Sequence, residues 1–97
     1  MIYQERQVLK MIYRILTENK NRQGLENILK RRFLGFTVTE ATGYWQGARE
    51  ASLIIDIDTL GEEGKIGVYQ TAREIKDYNG QESVLVQEIA STSLLVS

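Results

Sequence analysis

Residues 52–58 read SLIIDID, an alternation of apolar and polar positions that is typical of a half-buried β-strand. Every second residue from Leu53 to Ile57 is apolar and shares one face, and the two aspartates share the other face with Ile54. Upstream, Phe36–Thr42 is dense in β-branched residues and predicts another strand, which Gly43–Gly47 interrupts as a loop. The two strands are therefore predicted to form a hairpin.

One helix is predicted on each side of this hairpin, near residues 22–33 and 62–78, because apolar residues recur there at helical spacing. The predicted boundaries are Asn21 as N-cap and Gly35 as stop for the first helix, and a Thr59–Glu62 capping box and an Asn79-Gly80 left-handed cap for the second. Two further strands are predicted, one before the first helix at Val8–Leu16 and one after the second helix at Ser83–Ile89.

The resulting order, β-α-β-β-α-β, predicts an α+β protein of the ferredoxin-like class, with a four-stranded antiparallel sheet and both helices on one face. A chain of 97 residues has room for one core, so residues 1–97 are predicted to form a single domain. Residues 90–97 are expected to form a tail or a short edge strand. Ile12, Ile54 and either Val84 or Leu85 make the uncovered sheet face partly apolar, which favours self-association.

Composition excludes several classes of chemistry. The chain contains no cysteine and no histidine, which removes disulfides, thiol nucleophiles, imidazole bases and Cys/His zinc sites. We therefore expect a protein that is not an enzyme and that has no cofactor. No apolar run approaches the roughly 20 residues of a membrane span, and the N-terminus lacks a signal-peptide pattern, so a cytoplasmic location is expected.

The net charge of −1 conceals two opposed halves. Residues 1–49 carry nine basic and four acidic side chains, whereas residues 50–97 carry three basic and nine acidic ones. Either the two halves neutralise each other in the fold or one surface attracts anions. The basic patch is modest for a chain of pI about 5.5, so nucleic-acid binding is not favoured.

The segment GFTVTEATGYWQG, residues 35–47, resembles the second strand and the start of the following loop in PII-like proteins, the family that includes the PII signalling proteins and CutA. The resemblance implies a ferredoxin-like homotrimer whose sheets surround a central axis. It also implies that small ligands, commonly adenine nucleotides, bind in the clefts between subunits. In the PII signalling proteins, the long loop after the second strand contacts a protein partner.

Two segments depart from that pattern. The connection Gly43–Glu50 is short, so the resemblance does not carry over the extended loop that plugs a partner. Asp77–Glu82 is not a Gly-rich basic phosphate loop, so it does not carry over the family's ATP contacts either. A metal role like that of CutA is not implied, because histidine and cysteine are absent.

The loop Gly43–Arg49 is the predicted ligand site, because two adjacent aromatic residues and an arginine at a hairpin tip suit a planar anion. Tyr44 or Trp45 would stack a base, Gln46 would read its edge, Gly47 would expose a backbone N–H, and Arg49 would pair with a phosphate. Alternatively, Trp45 packs into a subunit interface. Further candidate phosphate contacts are Arg14, Thr39, Lys30, Arg31 and Arg32, although Arg14 could instead pair with Asp56 or Asp58 across the sheet, and the cations at 30–32 could complement the helix dipole.

The predicted function is a non-catalytic homo-oligomer, expected to be a trimer, that binds a small anionic nucleotide-type ligand between subunits and either senses or sequesters it. The alternative is a protein–protein adaptor that uses the aromatic 43–49 loop. A small enzyme that depends on Asp56 or Glu40 is the third hypothesis.

Overall fold

The computed structural model describes residues 5–96, and it describes the side chains of residues 11–91. The elements are β1 (Glu5–Glu18), α1 (Arg22–Arg32), β2 (Thr37–Trp45), β3 (Ala48–Thr59), α2 (Gly61–Asn79) and β4 (Leu85–Val96). The strands form one antiparallel sheet in the order β2-β3-β1-β4. The predicted ferredoxin-like class is therefore confirmed.

The core lies between the two helices and one face of the sheet, which we call the covered face. The β1–β3 register places Tyr13 opposite Ile57 and Ile15 opposite Ile55, so alternate residues of both strands point at the helices. The largest fully buried side chains are Ile15, Leu25, Leu29, Leu53, Ile55, Ile57, Ile75, Val68 and Thr71. Each buried aliphatic side chain contributes roughly 1.5–3 kcal/mol through the hydrophobic effect, so this layer dominates the stability of the fold.

Neither helix of the described chain lies on the other face of the sheet, which we call the open face. It displays both polar side chains and an apolar strip, whose members are Ile12, Leu16, Ile54, Leu85 and Ile89. Leu85 lies on this face opposite Leu16 and is 56% exposed, whereas Val84 packs against the core. The apolar residue at the start of β4 on the open face is therefore Leu85 rather than Val84.

The start of α2 differs from the predicted capping box. Thr59 is still paired with Met11 in the β1–β3 ladder, the N-cap is Leu60 in extended conformation, and no side chain caps the helix. The hydroxyl of Thr59 lies against Gly64, where any added Cβ would collide with it. The chain enters the helix through Gly61 at φ 72°, a conformation that glycine adopts without strain. The C-terminal prediction is confirmed, because Gly80 is left-handed at φ 64°.

At α1 the predicted N-cap residue is confirmed, whereas the predicted stop is wrong. Asn21 is the N-cap residue, but its side chain makes no cap hydrogen bond and instead donates to the side-chain carbonyl of Asn79 at 3.5 Å. The helix ends at Arg32, and Phe33 is an extended C-cap whose N–H donates to the carbonyl of Leu29. Gly35 is not the stop, because Phe33 already leaves the helix as it packs against the core.

The predicted loop at Gly43–Gly47 is wrong as a loop. β2 continues through Trp45 and β3 begins at Ala48, so only Gln46 and Gly47 connect them. Both have positive φ, 50° and 79°, which is the conformation of a type I′ turn that matches the twist of the strands. The aromatic residues therefore lie on a regular ladder with defined faces.

β1 and β4 are longer than the sequence predicts. β1 begins at Glu5 rather than Val8, and Glu5 pairs with Val96 at the far end of β4. Residues 90–96 thus continue β4, which is an edge strand of the sheet. In the part of the chain that the structure describes, neither helix is both long and apolar enough to span a bilayer.

Candidate ligand-binding site

The two aromatic residues of the β2–β3 hairpin point to opposite faces of the sheet. Tyr44 pairs directly with Arg49, on the same side as the core pair Val38 and Ile55, which is the covered face. Trp45 pairs with Ala48 and therefore lies on the open face. One ligand cannot stack on both rings within one copy of the chain.

Both rings are accessible to solvent. β1 stops pairing with β3 at Glu18 and Ser52, so the tip of the hairpin extends beyond the rest of the sheet. Tyr44 is 72% exposed and Trp45 is 67% exposed. Exposed aromatic side chains at a hairpin tip are typical of a binding surface, because burying them against a partner removes apolar surface from water.

Several of the cations predicted to contact a phosphate are already paired with carboxylates of the chain. Arg14 forms a bidentate salt bridge with Asp56, with its Nε and Nη2 at 2.8 and 3.1 Å from the two carboxylate oxygens. That hydrogen bond and the charge of Asp56 raise the pKa of Arg14. Arg31 and Arg32 both contact the carboxylate of Glu74 at 3.3 Å. These three guanidinium groups already have anionic partners within the chain.

Arg49 is different. Within residues 11–91 its guanidinium makes no hydrogen bond and no ion pair, and it is exposed beside Tyr44. Lys30 and Arg73 are the other described cations without a partner, and neither lies on the hairpin. The opposed charges of the two halves thus neutralise each other in several places, such as Arg14 with Asp56, but not at Arg49.

The remaining predicted contacts lie away from the hairpin tip. The first turn of α1 lies beside the middle of β2, where Arg22 contacts Glu40 at 2.8 Å, and the helix runs toward the beginning of β2. Since β2 has 9 residues, its two ends are separated by about 27 Å of extended chain. Arg31 and Arg32 are therefore at the opposite end from Trp45, and Thr39 lies near that end on the open face.

A groove of about 290 Å³ adjoins Arg49 at the base of the hairpin. Its lining residues are Asn19, Glu40, Ala41, Thr42, Arg49, Glu50 and Ala51. Asn19 is held there because its backbone N–H donates to the carbonyl of Ala51 at 3.0 Å. The side chains of Asn19 and Thr42 make no hydrogen bond within the described chain, so the groove offers an amide, a hydroxyl and a guanidinium to a ligand. It also contains two carboxylates, those of Glu40, which pairs with Arg22, and of Glu50.

Sequence reasoning missed Asn19 and Thr42. Asn19 lies in the polar stretch after the first strand, and Thr42 is one of several threonines in β2. Only the register of three strands brings them to Arg49, and no local pattern encodes that register.

Two larger concavities are also bordered by cationic side chains. One, of about 530 Å³ on the open face, contains the closed Arg14–Asp56 pair together with Asp58 and Phe36. The other, of about 820 Å³, lies between α1 and α2 and is bordered by Lys30, by the pair of Arg31 with Glu74, and by Tyr78. Among the described residues, no three acidic side chains converge in a way that could hold a metal ion.

No family model matches the sequence, and no curated protein matches it. Solved structures do. CPII from Thiomonas intermedia, a nitrogen regulatory PII-like protein bound to ADP, AMP and bicarbonate, is 13% identical with a TM-score of 0.64, over 91% of this chain and 96% of that one. A protein from Thermus thermophilus, described as a PII-like signalling protein, is 20% identical with a TM-score of 0.63, over 90% of this chain and 91% of that one.

A phage SAM lyase in its apo state is also similar, with 18% identity and a TM-score of 0.69 over 92% of this chain and 90% of that one. At these identities the similarity establishes the fold, and the lyase shows that this fold also supports catalysis. The resemblance carried by residues 35–47 is confirmed at that level: the chain has the ferredoxin-like fold of the PII-like proteins.

Proposed function

We propose that this protein is a non-enzymatic homo-oligomer that binds a small anionic nucleotide-type ligand at the hairpin. The hairpin site consists of Tyr44, Gln46, Gly47 and Arg49. Tyr44 stacks on the base, Arg49 pairs with a phosphate, and the turn at Gln46 and Gly47 borders the base edge.

The observation that carries this proposal is the pairing of Tyr44 with Arg49. The two residues are directly opposite in the β2–β3 ladder, so their Cβ atoms are about 5 Å apart. The ring is 72% exposed and the guanidinium has no partner among the described residues. An aromatic face beside an unpaired cation matches a base beside a phosphate, and the ADP and AMP bound to CPII support this ligand class.

A second copy of the chain would complete the site. A groove of about 290 Å³ is at the lower limit of ligand pockets, which start near roughly 300 Å³. The hairpin tip projects beyond the sheet, and the open face bears the apolar strip that favours self-association. Thr39, Arg31 and Arg32 would reach the site only from a neighbouring copy, and the resemblance to PII-like proteins implies that the copies form a trimer.

The short turn supports sequestration over signalling. A turn of two residues offers a protein partner little surface that could change when a ligand binds. We therefore propose that the protein holds its ligand, in the cytoplasm, rather than relaying its presence to a large partner.

Titration calorimetry with ADP and AMP on the purified oligomer tests the proposal. We expect Arg49→Gln to weaken ADP binding by about tenfold or more, because a charge-assisted hydrogen bond is lost. Arg73→Gln is the matched control, since Arg73 is also exposed and unpaired but lies on α2. Equal loss in both variants, or no ADP or AMP binding by the unaltered protein, would contradict the nucleotide site.

Two other functions give different results. The adaptor hypothesis is favoured by Trp45, which is 67% exposed and faces away from Tyr44. In that case Trp45→Ala would abolish a protein complex, and nucleotides would bind neither the unaltered protein nor the variant. Because a phage SAM lyase shares the fold, incubation with SAM is the assay for turnover, and any product formed would contradict the non-enzymatic proposal.

A further inference from the structure

The open face of the hairpin carries a second aromatic residue beside a second unpaired charge, this time an anion. Trp45 and Glu50 both lie on that face, because the ladder pairs Trp45 with Ala48 and Gly43 with Glu50. They are diagonal neighbours on adjacent strands, about 7 Å apart, a distance that long side chains bridge. On the covered face, Tyr44 lies beside a cation, Arg49, whereas on the open face Trp45 lies beside an anion, Glu50.

The surface around Trp45 and Glu50 is made of small residues. Gly43, directly opposite Glu50, has no side chain, and a Cβ there would lie 2.9 Å from the hydroxyl of Ser52. Ala48 lies opposite Trp45. The indole and the carboxylate therefore stand on either side of a shallow floor, and no bulky side chain separates them.

Nothing in the described chain neutralises Glu50. Its carboxylate makes no hydrogen bond and no ion pair, and Trp45 is 67% exposed. The nearest cation in sequence, Arg49, points to the covered face, and Arg14 on the open face is held by Asp56. The residues that face Glu50 across and along the strands, Gly43 and Ser52, carry no charge.

An indole face and a carboxylate attract the same kind of group. The ring quadrupole favours a cation above its face, and the carboxylate supplies the opposing charge. We propose that Trp45 and Glu50 form a binding site for an organic cation, a quaternary ammonium or guanidinium group, on the open face of the hairpin. The cation belongs either to a free small molecule or to a protein side chain, and the chemistry of recognition is the same for both.

This site uses neither Tyr44 nor Arg49, although Glu50 also lines the groove beside Arg49. Loss of ADP binding in Arg49→Gln would leave it intact, and its own failure would leave the nucleotide proposal standing. The two can therefore be tested separately on the same protein.

Trp45 is the single tryptophan of the chain, so its fluorescence reports directly on the site. The probes are choline chloride, the tripeptide acetyl-Gly-Arg-Gly-amide, and 3,3-dimethylbutan-1-ol, which has the shape of choline without its charge. Sodium chloride at equal concentration corrects for ionic strength. We expect a saturable change in emission with at least one cation and none with the neutral alcohol; a preference for choline identifies a small-molecule ligand, and a preference for the peptide identifies a protein side chain.

Variants identify the residues responsible. Glu50→Gln should weaken cation binding by about fivefold, whereas Glu82→Gln, which alters another exposed and unpaired carboxylate, should leave it unchanged. Trp45→Leu removes the tryptophan emission, so binding to that variant is followed by saturation transfer to the probe in NMR spectra, and the transfer should be lost. Circular dichroism checks that each variant folds. An equal response to the neutral alcohol, no response to either cation, or unchanged affinity in Glu50→Gln would overturn the proposal.

Discussion

Arg14 and Asp56 stand directly opposite each other on β1 and β3, and their side chains form a bidentate salt bridge on the open face. The pair is partly exposed, with 38% and 30% of the two side chains accessible. It holds a cation that the sequence offered either as a phosphate contact or as the partner of Asp56 or Asp58 across the sheet. The guanidinium of Arg14 is thus already paired with an anion of the chain, whereas that of Arg49 has no partner among the described residues.

Changing this pair should therefore have small effects. We expect Arg14→Gln to lower the Tm by no more than a few degrees, because ion pairs at the surface are screened by solvent. The difference from the unaltered protein should shrink further in high salt. Calorimetry at low and high sodium chloride measures it, and ADP affinity should change much less than in Arg49→Gln.

The core should respond far more strongly. Leu29 is fully buried between α1 and the sheet, so Leu29→Ala should cost about 2–5 kcal/mol in the free energy of unfolding. Leu34 is fully exposed after α1, and Leu34→Ala should change it by less than about 0.5 kcal/mol. Urea denaturation followed by circular dichroism compares the two, and similar losses would contradict the placement of α1.

The two-residue turn should depend on Gly47. Its φ of 79° is left-handed, so Gly47→Ala should cost about 1 kcal/mol and shift the Tyr44–Arg49 pair. Nucleotide binding should weaken along with stability. Gly35→Ala is the control, because no atom lies within 4 Å of the added Cβ and the backbone there is ordinary. If the two variants behave alike, the type I′ turn is wrong.

Tyr69 should titrate above its ordinary range. Burial raises its pKa, and the neighbouring charge of Glu88 and the 3.2 Å hydrogen bond to it raise the pKa further. The folded chain therefore holds the phenol proton more tightly than the unfolded chain, so stability is lost as the pH rises above about 10. The pKa of Lys65, raised by its hydrogen bond to Glu88 and by that carboxylate's charge, acts in the same direction.

Ultraviolet absorbance measures the titration of tyrosine. Tyr69→Phe should remove the component whose pKa is raised, and Glu88→Gln should lower the pKa of that component while burial still keeps it above the ordinary value. An unchanged curve in Tyr69→Phe would exclude a shifted phenol at this position.

The open face should control assembly. Ile54 lies within the apolar strip, so Ile54→Glu should place a charge where a neighbouring copy would pack. Light scattering after size exclusion should then show a mass near 11.1 kDa, the mass of one chain, in place of a multiple of it. If the unaltered protein already has the mass of one chain, the intersubunit site does not exist.

Local patterns were sufficient for the elements and their order. The alternation of Leu53, Ile55 and Ile57 and the helical spacing in α1 and α2 arise from side-chain periodicity within each segment, so they can be read without knowing the neighbours. The pairing of Arg14 with Asp56 was among the predicted alternatives for the same reason. The composition likewise excluded thiol and imidazole chemistry before any geometry was known.

The site depended on contacts between segments that are distant in sequence. The type I′ turn set the β2–β3 register, and a shift of one residue would have moved Tyr44 and Trp45 to the opposite faces. Packing likewise placed Thr59 in β3 instead of in the predicted capping box. It also left Arg49 without a partner among the described residues. Hydrogen-bond partners of this kind depend on how whole strands and helices align, whereas periodicity depends only on the residues within each one.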